Sequence, residues 1–83
     1  MQKDKNIINF PKKKSRIERE IEAIIFAADE PLDEETIIKR VGTTKNIKNI
    51  LLKIQEEYSS RGINLVHISN KWIFRTATDL SEL

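Results

Sequence analysis

The sequence predicts an α+β fold in which three short helices precede a two-stranded hairpin, and three observations carry that reading. A capping box opens the first helix, apolar residues recur at helical spacing through two further segments, and from Ile63 the period changes to the alternation of strands. With 83 residues the chain can form one core, burying roughly 60 to 65% of the surface its unfolded form would expose. Its 39% hydrophobic and 34% charged residues, with two Gly and two Pro, fit a folded helix-rich domain better than a disordered one.

The first helix is expected over Arg16 to Ala28. Ser15 and Glu18 stand three apart, so each side chain can satisfy a backbone N–H left free at the helix start. Ile17, Ile21, Ile24, Ile25 and Ala28 fall on one stripe, and Phe26 lies about 180° from Ile17. Pro31 then pushes Glu30 out of helical geometry, and Asp33 can cap a second helix from Glu34 to Val41, with Gly42 to end it. Thr43 or Thr44 is expected to cap a third helix running to about Ser59 or Ser60, with Ile47, Ile50, Leu51, Ile54 and Tyr58 on one stripe. The segments INLVHIS and WIFRTAT read as strands around an Asn70-Lys71 turn. That turn pairs Ile68 with Ile73 and places Ile63, Leu65, His67, Trp72 and Phe74 on one face, Asn64, Val66, Ile68, Ile73 and Arg75 on the other. A helix-turn-helix core with a C-terminal β-hairpin is a winged helix, assigned here to residues 15 to 78. Residues 1 to 14 read as a flexible basic N-terminal arm, and 79 to 83 as the start of a linker or the next helix of a longer protein.

The charge is divided. Residues 1 to 16 carry six Lys/Arg against Asp4, net +5, whereas the remainder carries nine against twelve Asp/Glu, net −3. The basicity therefore belongs to the arm, and the folded part has no electrostatic bias toward a phosphate backbone. There are no cysteines, which excludes disulfides, thiolate metal sites and thiol nucleophiles. The sole histidine, His67, has no nucleophile placed beside it in a catalytic pattern. Gly42 and Gly62 stand alone, so there is no phosphate-cradling loop, and no stretch has the length of a membrane span. The acidic groups Asp29-Glu30 and Asp33 to Glu35 match no cation-binding loop and are explained by helix capping. No catalytic, cofactor-binding or metal residue is assigned.

Two binding readings remain. A winged helix that reads DNA would present Lys45, Lys48 and Asn49 from its third helix and Lys71 from the wing, but Glu56 and Glu57 oppose them. The other reading starts from surplus apolar surface. A first helix covered on two sides would take up Phe26, but Leu52 and the second wing face are harder to bury, and an exposed apolar patch marks a protein contact. The candidate contact residues are Phe26, Leu52, Val66, Ile68, Trp72 and Ile73.

The stretch IEAIIFAADEPLDEETI, the helix end LLKIQEEYSSRG and the strand WIFRT, in that order over Ile21 to Thr76, resemble the N-terminal part of the segregation and condensation protein B family. The resemblance implies two tandem winged-helix domains, the first of them here, and a homodimer that binds a kleisin subunit (ScpA) and through it SMC. It further implies a cytoplasmic, nucleoid-associated, non-enzymatic role in chromosome condensation and segregation. No cofactor, small-molecule substrate or membrane is implied, and DNA contact would be indirect or nonspecific. Two features depart from the family pattern: the Asn70-Lys71 turn, where glycines are usual, and the long basic arm.

Overall fold

The structure, a computed structural model, describes residues 15–43, 46–80 and 82. The elements are α1 (Arg16–Ala27), β1 (Leu32–Asp33), α2 (Glu34–Val41), α3 (Ile47–Glu57), β2 (Ile63–Ile68) and β3 (Lys71–Thr76), followed by a 3-10 turn over Thr78–Leu80. The strands form one antiparallel sheet in the order β1-β3-β2. Three helices against a hairpin extended by one short strand make a winged helix. Of the segments read from sequence, the N-terminal arm lies outside the described residues, and the 3-10 turn occupies the place of the last expected helix start.

Local chemistry sets each boundary. The capping box forms as expected: Glu18 N–H donates to Ser15 Oγ at 3.1 Å, and Ser15 N–H donates to Glu18 Oε1 at 3.0 Å. Asp33 caps α2 by accepting from Thr36 N–H at 2.8 Å. Gly42 closes that helix at φ 82°, a left-handed conformation that costs a residue with a Cβ more than it costs glycine.

Four expectations are corrected. The third helix begins at Ile47 and not after Thr43 or Thr44. Its N-cap is Asn46, held at φ 59° with no side-chain cap bond, and its last helical residue is Glu57. Asparagine tolerates this conformation, and starting there turns Ile47 into the core. Second, the hairpin turn is Ser69-Asn70, at φ 52° and 65°, the paired positive values of the tight turn that matches strand twist. The register therefore pairs Val66 with Ile73, His67 with Trp72 and Ile68 with Lys71. Moving the turn by one residue shifts the pairing by two, so the division of residues between the two faces survives. Third, β1 was not expected: Leu32 pairs with Trp72 and Asp33 with Lys71. Fourth, Trp72 is 0% exposed and belongs to the core.

That core joins Ile21 and Ile25 of α1, Ile37 of α2, Ile47, Leu51 and Ile54 of α3, Leu65 of β2 and Trp72 of β3. Trp72 sits where β1, β3 and α2 meet, its indole N–H donating to Glu34 Oε2 at 3.4 Å and its ring stacked 4.0 Å from that of His67. Glu18, the buried charged residue beside this core, also accepts from Lys53 Nζ at 2.8 Å, tying the start of α1 to α3. The outer edge of β2 is blunted by side-chain amides. From α3, Gln55 Nε2 donates to the Leu65 carbonyl at 3.2 Å, and Asn64 Nδ2 donates to the Ile63 carbonyl at 3.0 Å.

Candidate functional site

Helix α1 buries one stripe in the core and carries a second one outward. Arg19, Glu22, Ala23 and Phe26 recur at helical spacing on that outer stripe, and with Tyr58, Ile63 and Phe74 they line an open groove of about 400 Å³. Phe26 is 70% exposed, so the packing that could have taken it up does not do so. Tyr58 stands at the end of α3, where its ring meets Phe74 edge-on at 5.0 Å and Arg61 lies 4.8 Å above it. The Tyr58 hydroxyl donates to the Glu22 carboxylate. That hydrogen bond to an anion, followed by partial burial and the nearby charge, raises the phenol above its ordinary range.

A second apolar surface lies on the outer face of the hairpin. Val66 and Ile73 are a cross-strand pair, half-buried, with Ile68 beside them on the same face and 45% exposed. Leu52 projects from α3 and is 47% exposed. Of the six residues singled out from sequence, the hairpin brings three together, Phe26 belongs to the α1 groove, Leu52 stands on α3, and Trp72 is removed from the surface set because it faces inward. The groove partners Ala23, Tyr58, Ile63 and Phe74 were missed. Tyr58, Ile63 and Phe74 sit on core-facing stripes that end in the open. The signal available in sequence was the second α1 stripe, in which Ala23 and Phe26 stand three apart.

The surface that a DNA-reading winged helix would use is occupied by carboxylates. Lys48 shares a depression with Asp33, Glu34, Glu35, His67 and Asn70, and β1 brings Lys71 beside Asp33. The Asp33 carboxyl lies below its ordinary value, first through the bond from Thr36 N–H, then the Thr36 side chain, with Lys71 and Lys39 contributing. Asn49 is exposed on α3, and Lys45 lies outside the described residues. Lys53, which would extend the basic stripe, is bound to Glu18. Among the described residues no group of three His, Asp or Glu is placed to hold a metal ion, and no helix is long and apolar enough to cross a membrane.

Comparison with known proteins gives concordant results. The segregation and condensation protein B homolog of Coxiella burnetii (strain RSA 493 / Nine Mile phase I) is 32% identical over 66 residues, which cover 74% of this chain and 32% of that protein. The chain thus spans about a third of the length of that curated relative. The crystal structure of a conserved hypothetical protein from Chlorobium tepidum superposes with a TM-score of 0.71 at 18% identity, covering 81% of this chain and 44% of the other, which establishes the shared fold. Residues 19–83, most of the chain, match the family described as segregation and condensation complex subunit ScpB. The chain belongs to that family.

Proposed function

We propose that this chain is the first winged-helix module of a non-enzymatic accessory subunit of an SMC-kleisin complex. In this reading it acts in chromosome condensation and segregation, in the cytoplasm at the nucleoid, by forming a homodimer and binding a kleisin subunit. Membership of the ScpB family supports the process. The observation that carries the binding mode is the apolar surface left outside the core at Phe26, at Leu52 and at Val66, Ile68 and Ile73. A domain of this size would be expected to cover such surface with protein. The carboxylates around Lys48 and Lys71, and the engagement of Lys53 by Glu18, weigh against a regulator that reads DNA through α3.

The test is light scattering at micromolar concentration, followed by titration with the kleisin subunit. The expected mass is twice 9.7 kDa, with saturable kleisin binding by the full-length protein. A strict monomer that ignores the kleisin but binds one duplex sequence tightly would replace this reading with the DNA-binding one.

A further inference from the structure

Two apolar surfaces lie outside the core, and they differ in shape. The hairpin face at Val66, Ile68 and Ile73 lines neither the α1 groove nor the acidic depression at Lys48. The α1 surface carries a projection and a recess side by side. Phe26 is 70% exposed, and the groove it borders, about 400 Å³, is also lined by Arg19, Ala23, Tyr58, Ile63 and Phe74. A groove of that volume takes an aromatic side chain. Two identical chains related by a two-fold axis need such a patch, because each copy must offer both the knob and the hole.

The order of residues along the outer stripe suits the same operation. Arg19, Glu22, Ala23 and Phe26 follow one another on α1. A two-fold axis passing between Glu22 and Ala23 sets the two helices antiparallel, so that Arg19 faces the partner's Phe26 and Ala23 faces the partner's Glu22. Arg19 and Phe26 then lie about 5 Å along the helix on either side of the axis. The Arg19 guanidinium makes no ion pair among the described residues, which leaves it to stack as a cation on the partner's Phe26 ring. Glu22 is already held by the Tyr58 hydroxyl. Ala23 places only a methyl group where the helices cross, allowing their axes to approach to about 8 Å.

The area sets the strength. Two copies of Phe26 contribute about 280 Å², against about 1,200 Å² in all for a stable specific interface. Ile63, 37% exposed, and the open rims of Tyr58 and Phe74 add to it, which places the pair at the small end of the range and makes it respond to concentration.

We propose, resting on the homodimer reading above, that the α1 groove is the face through which this chain pairs with a second copy of itself, the Phe26 of each copy seated in the groove of the other. The outer hairpin face stays uncovered in that pair.

The chain has no cysteine, so single engineered thiols report contact between copies without background. In the full chain at micromolar concentration in a glutathione redox buffer, Ala23→Cys lies beside the axis. It is expected to form a disulfide-linked dimer at least about tenfold more readily than Ile68→Cys or Leu52→Cys. Adding Phe26→Asp to Ala23→Cys, with circular dichroism unchanged, is expected to abolish that excess. In the cysteine-free chain, Phe26→Asp and Arg19→Glu are each expected to lower the light-scattering mass toward 9.7 kDa. An excess that survives Phe26→Asp overturns the seating of Phe26. Preferential crosslinking at Ile68→Cys or Leu52→Cys, or equal crosslinking at all three, overturns the α1 assignment and leaves the homodimer reading standing if the cysteine-free chain has a dimeric mass. A monomeric mass at every concentration overturns both.

Discussion

Trp72 and Phe26 are both large aromatics on the same small domain, and their substitution by alanine is expected to affect different properties. Trp72 is 0% exposed at the meeting point of α2, β1 and β3, so Trp72→Ala leaves a cavity that the surrounding helices cannot close. Such changes cost about 3 to 5 kcal/mol, against a total stability on the order of 4 to 12 kcal/mol for a domain of this length. Phe26 is 70% exposed, so less than a third of its surface is in contact with the chain. That leaves about 60 Å² of contact, or at most about 1.5 kcal/mol. Urea melts followed by circular dichroism at two protein concentrations separate the terms, because a dimer melts in a concentration-dependent way and a monomer does not. Trp72→Ala is expected to lose most of its unfolding transition. Phe26→Ala is expected to keep the fold and lose the concentration dependence. A loss of 3 kcal/mol or more in Phe26→Ala, with the concentration dependence intact, would show that Phe26 is a core residue and refute its assignment to a docking surface.

Three further outcomes are expected. A double-mutant cycle on Glu18 and Lys53, whose side chains are 11% and 53% exposed, should give a coupling of about 0.5 to 1 kcal/mol that shrinks with added salt, and Glu18→Ala should cost more than Lys53→Ala because it also releases Ser15 N–H. Stability should fall at both pH extremes: Asp33, held below its ordinary 3.8, contributes above that value and loses its contribution as pH falls through its folded value. Tyr58, raised above 10.0, contributes below that value and loses its contribution as pH rises through its folded value, so Asp33→Asn should flatten the acid limb of the stability profile and Tyr58→Phe the alkaline limb. Finally, replacing Ser69-Asn70 by Asn-Gly should stabilise the hairpin by about 0.5 to 1 kcal/mol, read from the urea midpoint, since both positions have positive φ.

Much of the fold was legible because its signals are local. The Ser15-Glu18 box, the Asp33 cap and Gly42 are each set by residues within four positions of one another, and the isoleucine stripes follow from helical period alone. What escaped depends on contacts between distant segments. The two-residue strand β1 has too few residues to show alternation and exists because Leu32 and Asp33 meet the hairpin. The turn falls at Ser69-Asn70 because strand pairing sets the register, and Asn70 takes the positive φ that asparagine tolerates. The site was less legible than the fold. Exposure of Phe26 and burial of Trp72 depend on which helix faces are covered, and a chain in which both hairpin faces carry large apolar residues does not show by pattern alone which face turns inward.

The small strand β1 also bears on how this winged helix would meet DNA. A wing contributes to DNA binding by carrying cations to the phosphate backbone beside the third helix. Here β1 brings Asp33 into register with Lys71, and the carboxylates of the first turn of α2, Glu34 and Glu35, stand with Lys48 in the same depression. The residues that cap α2 thus answer the cations of both the wing and α3. Moving duplex DNA onto this surface would set phosphates against at least three carboxylates, each repelling them at short range. The apolar surfaces meet no such opposition. The groove at Phe26 and the Val66-Ile73 pair share no lining residue with that acidic depression, and burial of their apolar side chains would lower the free energy of the domain. Charge placement and apolar exposure therefore both favour the proposed protein partner over duplex DNA, and they do so through different residues.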